Sequence, residues 1–131
     1  MTDSQLRKSF EDCSLAPERF SHEDHIQMAW IYVSAHPLSE AIARFRTDLR
    51  RFVKHAGAED KYHETITWFY LVLVNERANR LDPEHSWECF KKANGDLLIR
   101  GTTLLKTYYR SATLESTTAK HTFVLPDALV H

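Results

Sequence analysis

Apolar residues recur three and four positions apart through three long stretches, which is the period of an α-helix with one buried face. The first stretch is "SHEDHIQMAWIYVSAH". Ile26, Ala29, Trp30 and Val33 carry the spacing and predict a helix over about 22–35. Ser21 stands where a cap belongs: its hydroxyl can accept the N–H of Asp24, and Asp24 favours the positive end of the helix, a capping box with Asp in place of Glu. In the second stretch, "HPLSEAIARFRTDLRRFVKHAG", the residues Leu38, Ile42, Phe45, Leu49, Phe52 and Val53 form one stripe, so a helix over about 37–56 is expected. Pro37 suits the first turn, where a missing N–H costs nothing, and Gly57 suits the position just past the last. The short connection that follows makes the next element an antiparallel neighbour.

That third stretch, about 60–80, is apolar nearly all round from Ile66 to Val74. Its β-branched and aromatic content would fit a buried strand. Its length, free of Gly and Pro from Asp60 to Asp82, decides for a helix, and a helix apolar on every side belongs in the middle of a bundle. Beyond Asp82 the elements shorten. A short helix ends near Asn94 and Gly95, one or two more are broken near Gly101, and a Ser/Thr-rich stretch leads into an apolar tail for which irregular backbone is expected. Leu6 and Phe10 place a short amphipathic helix at the start. The fold class read from this pattern is all-α: one helical domain over 1–131, a bundle of three main helices with shorter C-terminal ones.

Composition agrees and narrows the partners. The 131 residues suit one domain with a single core. Net charge is −1 with His neutral, and the densest basic stretch, Arg44 to Lys54, is interrupted by Asp48 and apolar residues. It reads as a solvated helix face, so no nucleic-acid partner is expected. The apolar run Trp68–Val74 is too short to span a bilayer, and the first residues hold no signal-peptide core, so no membrane partner and a cytoplasmic location are expected. Cys13 and Cys89 form no CxxC and are expected to be small, partly buried side chains.

Eight histidines are the unusual feature. His36, His55, His85, His121 and His131 sit at helix ends, in connecting segments or at the terminus. His22, His25 and His63 remain. His22 and His25 lie three apart, on one side of the first helix. His63 opens the central helix in "YHETIT", with Glu64, Thr67 and Tyr62 beside it, and polar groups at a buried helix need partners. In an up-down bundle the first and third helices run parallel, so these two starts meet at one end. Three imidazoles would suit a divalent transition metal, Zn, Fe, Ni or Cu, with an open position for hydrolytic or oxidative chemistry. His22, His25 and His63 are then the metal ligands, with His63 and Glu64 catalytic and Tyr62 and Thr67 binding substrate. The alternative is a metal-free pocket for a small polar molecule, or a regulatory or interaction protein whose histidines are structural. The apolar tail Phe123, Val124, Leu125, Leu129 and Val130 offers a surface for a homo-oligomer.

"FSHEDH" at Phe20–His25, "YHETIT" at Tyr62–Thr67 and "FVLPD" at Phe123–Asp127 together resemble an uncharacterised family of small bacterial all-helical proteins with FxHxxH, YHETIT and C-terminal FVLPD motifs. The resemblance spans most of the chain. It implies no activity and carries no catalytic residue, but it joins the opening histidine stretch and YHETIT into one unit.

Overall fold

In the computed structural model, which describes residues 1–99 and 103–128, the chain is all-α, and no strand occurs among the described residues. Helix α1 covers Asp3–Glu11, α2 His22–Ala35, α3 Leu38–His55 and α4 Glu64–Ala78. Four shorter helices follow: α5 Trp87–Ala93, α6 Thr103–Tyr108, α7 Ser111–Leu114 and α8 Thr117–His121. The expected break near Gly101 lies outside the described residues. No helix among the described residues is long and apolar enough to cross a membrane.

The local signals act as their chemistry requires. Ser21 Oγ accepts from the Asp24 N–H, and the Asp24 carboxylate accepts from the Ser21 N–H, closing the capping box of α2. Gly57 takes φ +70° just past α3. There the Ala58 N–H donates to the Val53 carbonyl and the Gly57 N–H to that of Lys54, two of the carbonyls a helix end leaves free.

The third helix starts later than its pattern suggests. Glu59–Lys61 form a single 3-10 turn, Tyr62 and His63 are extended, and α4 begins only at Glu64. His63 is the cap: its Nδ1 accepts the N–H of Ile66 at 3.2 Å. The C-terminal part differs more. The Ser/Thr-rich stretch expected to be irregular forms α7 and α8, and Ser116 caps α8 by accepting the Ala119 N–H.

The core has two central helices. Helix α4 was expected there, and α2 joins it, burying Ile26, Met28, Ala29, Trp30, Ile31 and Tyr32 around its circumference. On one side of α2, the fully buried Phe10 of α1 packs among Phe20, Tyr32, Phe45 and Phe52, with ring centroids 5.1–6.2 Å apart. On the other, Trp30 meets Trp87 and Phe90 of α5. Burial of this aromatic surface is the main source of stability.

Residues 122–128 cross α4 as an extended strap. Phe123 stacks on Trp68, and the buried Thr65 hydroxyl lies within 2.7 and 2.9 Å of the Ala119 and Thr122 carbonyls and accepts the Val124 N–H. Tyr109 donates to the Val124 carbonyl, and the Asp127 carboxylate accepts from the Arg110 N–H and from the Thr113 hydroxyl. The tail thus spends Phe123 and Val124 on its own chain; Leu125 is exposed, and Leu129 and Val130 lie outside the described residues. Cys13 is part-buried, whereas Cys89, expected to be the same, is exposed; both are free thiols.

Candidate functional site

The starts of α2 and α4 lie at one end of the bundle. His22, His25, Tyr62, His63 and Thr67 all line a single cavity of about 890 Å³, closed by the C-terminal end of α3. Its walls are largely apolar, built from Ile26, Leu49, Phe52, Val53, Ile66 and Leu98. The volume lies in the range of small-molecule sites. This is the convergence expected of two parallel helices separated by one antiparallel neighbour.

The three histidines play different parts. His63 is fully engaged: Nδ1 accepts from Ile66, so Nε2 carries the proton and donates it to the Leu114 carbonyl at 2.7 Å. It is a neutral imidazole that ties the start of α4 to the end of α7. His22 donates from Nε2 to the Leu97 carbonyl at 2.8 Å, Nδ1 has no partner among the described residues, and its ring meets Tyr70 edge-on. The His25 ring makes no hydrogen bond among the described residues. It stacks on Phe20 with centroids 3.9 Å apart. Burial in this apolar wall drives its pKa down to about 4; the neighbouring His22 adds to the effect and Asp24 opposes it. His25 therefore presents an uncharged ring to the cavity at neutral pH.

The acids are already committed. Glu64 does not line the cavity. Its carboxylate takes a forked pair of bonds from Arg46, at 3.2 and 2.8 Å, and the Tyr62 hydroxyl at 2.5 Å. Burial alone would raise its pKa, but the hydrogen bonds from Arg46 and Tyr62 and the charge of Arg46 outweigh it and hold Glu64 below the usual carboxylate range. An ionised carboxylate bonded in this way is a clamp between α3 and α4, not the base expected from its place beside His63. The Tyr62 hydroxyl is pushed up to about 12, by burial first and then by its bond to Glu64 and the Glu64 charge. Glu23 pairs with Lys91 at 3.2 Å. Thr67 donates to the His63 carbonyl at 2.8 Å.

These commitments correct the expected metal site. His22 Nδ1 and His25 keep free nitrogens and His63 has none; of the carboxylates that line the cavity, Glu23 is held by Lys91, and Glu18 has no side-chain partner among the described residues. Among the described residues no group of three or more His, Cys, Asp or Glu is placed to hold a metal ion. The residues present do not fit a three-histidine Zn, Fe, Ni or Cu centre.

Sequence reasoning missed the Phe20 ring that packs on His25 and the Tyr70 ring beside His22. The F-x-x-x-x-H spacing from Phe20 to His25 holds no periodic signal, because Phe20 precedes the helix and reaches His25 through the bend at Ser21. Compared with protein-family models, curated proteins and solved structures, the chain finds no match.

Proposed function

We propose that the chain binds a small, uncharged, amphipathic molecule in the cavity between the starts of α2 and α4. The carrying observation is the His25 imidazole, neutral and without a hydrogen-bond partner among the described residues, in a wall that is more apolar than polar. Such a group offers one donor and one acceptor, and a ligand group that completes both gains from the low dielectric around it. His22 Nδ1, also without a partner among the described residues, adds a second polar atom one turn away. An apolar body with an amide or hydroxyl edge matches this lining.

Binding is favoured over catalysis by the same chemistry. A base whose conjugate acid has a pKa near 4 is weak at neutral pH, where the best general bases lie near 7. The nucleophiles of the chain also stand apart: neither Cys13 nor Cys89 lines the cavity, and Ser21 Oγ is held by Asp24. The shared lining of FxHxxH and YHETIT supports the view that the two motifs act as one unit.

The test is histidine NMR on the untagged chain with benzamide and phenol as probes. Ring resonances of His25 and His22 should shift saturably while those of His121, on the surface, stay fixed. His25→Phe should abolish the response. A His25 titration midpoint between 6 and 7, or probe shifts spread evenly over all histidines, would end this reading.

A further inference from the structure

A second cavity, of about 520 Å³, lies across Tyr62 from the first and is lined by Arg50, Arg51, Lys54 and Lys120 against Glu59 and Glu64. Three separate parts of the chain build it: the last turns of α3, the segment 59–64, and α8. Of the acids on this side, Glu59 at the rim has no partner among the described residues, and the other two are spent. Glu64 is neutralised by Arg46, and Asp48, behind the wall, binds Arg51 and the Tyr32 hydroxyl. Of the four arginines on α3, Arg44, Arg46 and Arg51 each pair with a carboxylate. Arg50 does not pair among the described residues; its guanidinium lies over the Tyr62 ring, 5.4 Å from the centroid. Lys54, one turn on, projects from the same side of the helix, and like charges at that spacing repel. The Lys120 ammonium is drawn in from α8 by a hydrogen bond to the Asp60 carbonyl.

Three cations without carboxylate partners among the described residues thus converge on one concavity, in a chain whose net charge is −1. We infer that this cleft is an oxyanion site for the phosphate group of a small phosphorylated molecule. Arg50 supplies a planar fork, fixed by its position on Tyr62, and Lys54 and Lys120 supply point charges from opposite walls. Bound phosphate relieves the repulsion between Arg50 and Lys54, which Glu64, already bonded to Arg46, and Glu59 offset only in part. The enclosed volume suits a compact ligand in preference to an extended polyanion. The inference does not depend on what the histidine cavity binds, although Tyr62 and Val53 wall both.

The experiment titrates the full chain with inorganic phosphate at ionic strength held constant with sodium chloride, following the Arg Nε–H and histidine resonances by NMR. Saturable shifts at Arg50, with a Kd on the order of 1 mM, are expected. Arg50→Gln and Lys54→Gln, both at exposed positions, should each weaken binding about tenfold, the loss of one charge-assisted hydrogen bond. Arg44→Gln, whose parent side chain is held by Glu40, should leave it unchanged. Phenyl phosphate should bind at least as well as phosphate. The inference is overturned by shifts that grow linearly without saturation, by unaltered binding in Arg50→Gln and Lys54→Gln, or by shifts centred on His25. A short single-stranded oligonucleotide that displaces phosphate at lower concentration than phenyl phosphate would equally overturn it in favour of a nucleic-acid face.

Discussion

Thr65→Val removes one oxygen from the centre of the molecule and should cost about 2–6 kcal/mol. Valine keeps the shape, so packing around this fully buried residue is unchanged. The Thr65 hydroxyl has one proton, shared between the Ala119 and Thr122 carbonyls at 2.7 and 2.9 Å, and accepts the Val124 N–H at 3.2 Å. Two hydrogen bonds' worth of net stabilisation is therefore lost, about 0.5–1.5 kcal/mol each, and a partly buried N–H left without a partner adds about 1–3 kcal/mol. The strap does not simply float away to rehydrate, because Phe123 on Trp68, Tyr109 on Val124 and Asp127 on Arg110 still hold it. This places the cost above that of a single surface hydrogen bond. The loss is a large part of the roughly 5–15 kcal/mol that holds a domain folded. Urea unfolding of wild type and variant gives the difference, and amide exchange at Val124 shows whether the strap has loosened. A change below about 0.5 kcal/mol, with Val124 protection intact, would refute the view that this hydroxyl pins the strap.

Other consequences follow from the same geometry. His25 has a folded pKa near 4 against an ordinary 6.5, so between those values the unfolded chain binds a proton that the folded chain refuses. Its contribution to stability is whole above about pH 6.5 and is lost as pH falls toward 4; His25→Phe should flatten that limb in pH-dependent urea unfolding, and an identical limb would refute the assignment. Glu64→Gln should cost about 1–2 kcal/mol, less than a fully buried pair because Arg46 keeps 32% of its side chain in water. The same change should lower the Tyr62 pKa from about 12, since a negative neighbour is removed, and absorbance titration of tyrosinate reads that shift. His63→Ala should cost about 2 kcal/mol, from one helix cap and the bond to Leu114, whereas His63→Asn retains a capping acceptor and should lose about half as much. Equal stability of all three chains would show that His63 is not a structural cap.

Helices α2 and α3 were legible because their ends carry side chains with unambiguous local chemistry: the Ser21–Asp24 box, Pro37 and Gly57. The start of α4 was not, because its cap is an imidazole, a rare acceptor at that position, and because nothing between Asp60 and His63 forbids helix. Ser116 was a readable cap for α8, but too few apolar positions follow it to give a period. That His22, His25 and His63 could lie at one end of the bundle was legible from the order of the helices, provided the two helices are neighbours; the structure has them line one cavity. What each histidine does there was not, since the carbonyls of Leu97 and Leu114 that engage His22 and His63 are 75 and 51 residues away in the chain. Glu64 misled for a simpler reason. Adjacent to His63 in sequence, it is turned toward α3, where Arg46, 18 residues earlier, claims it.

The strap also imposes an order on biosynthesis. Thr65 and Trp68, on a central helix, obtain part of their covering from residues 119–124, more than 50 positions later. While the chain is still growing, α4 presents an apolar flank that is not yet fully covered. A chain that ends before Phe123 therefore lacks the ring that stacks on Trp68 and the N–H that Thr65 accepts, and the last short peptide to be made closes this flank.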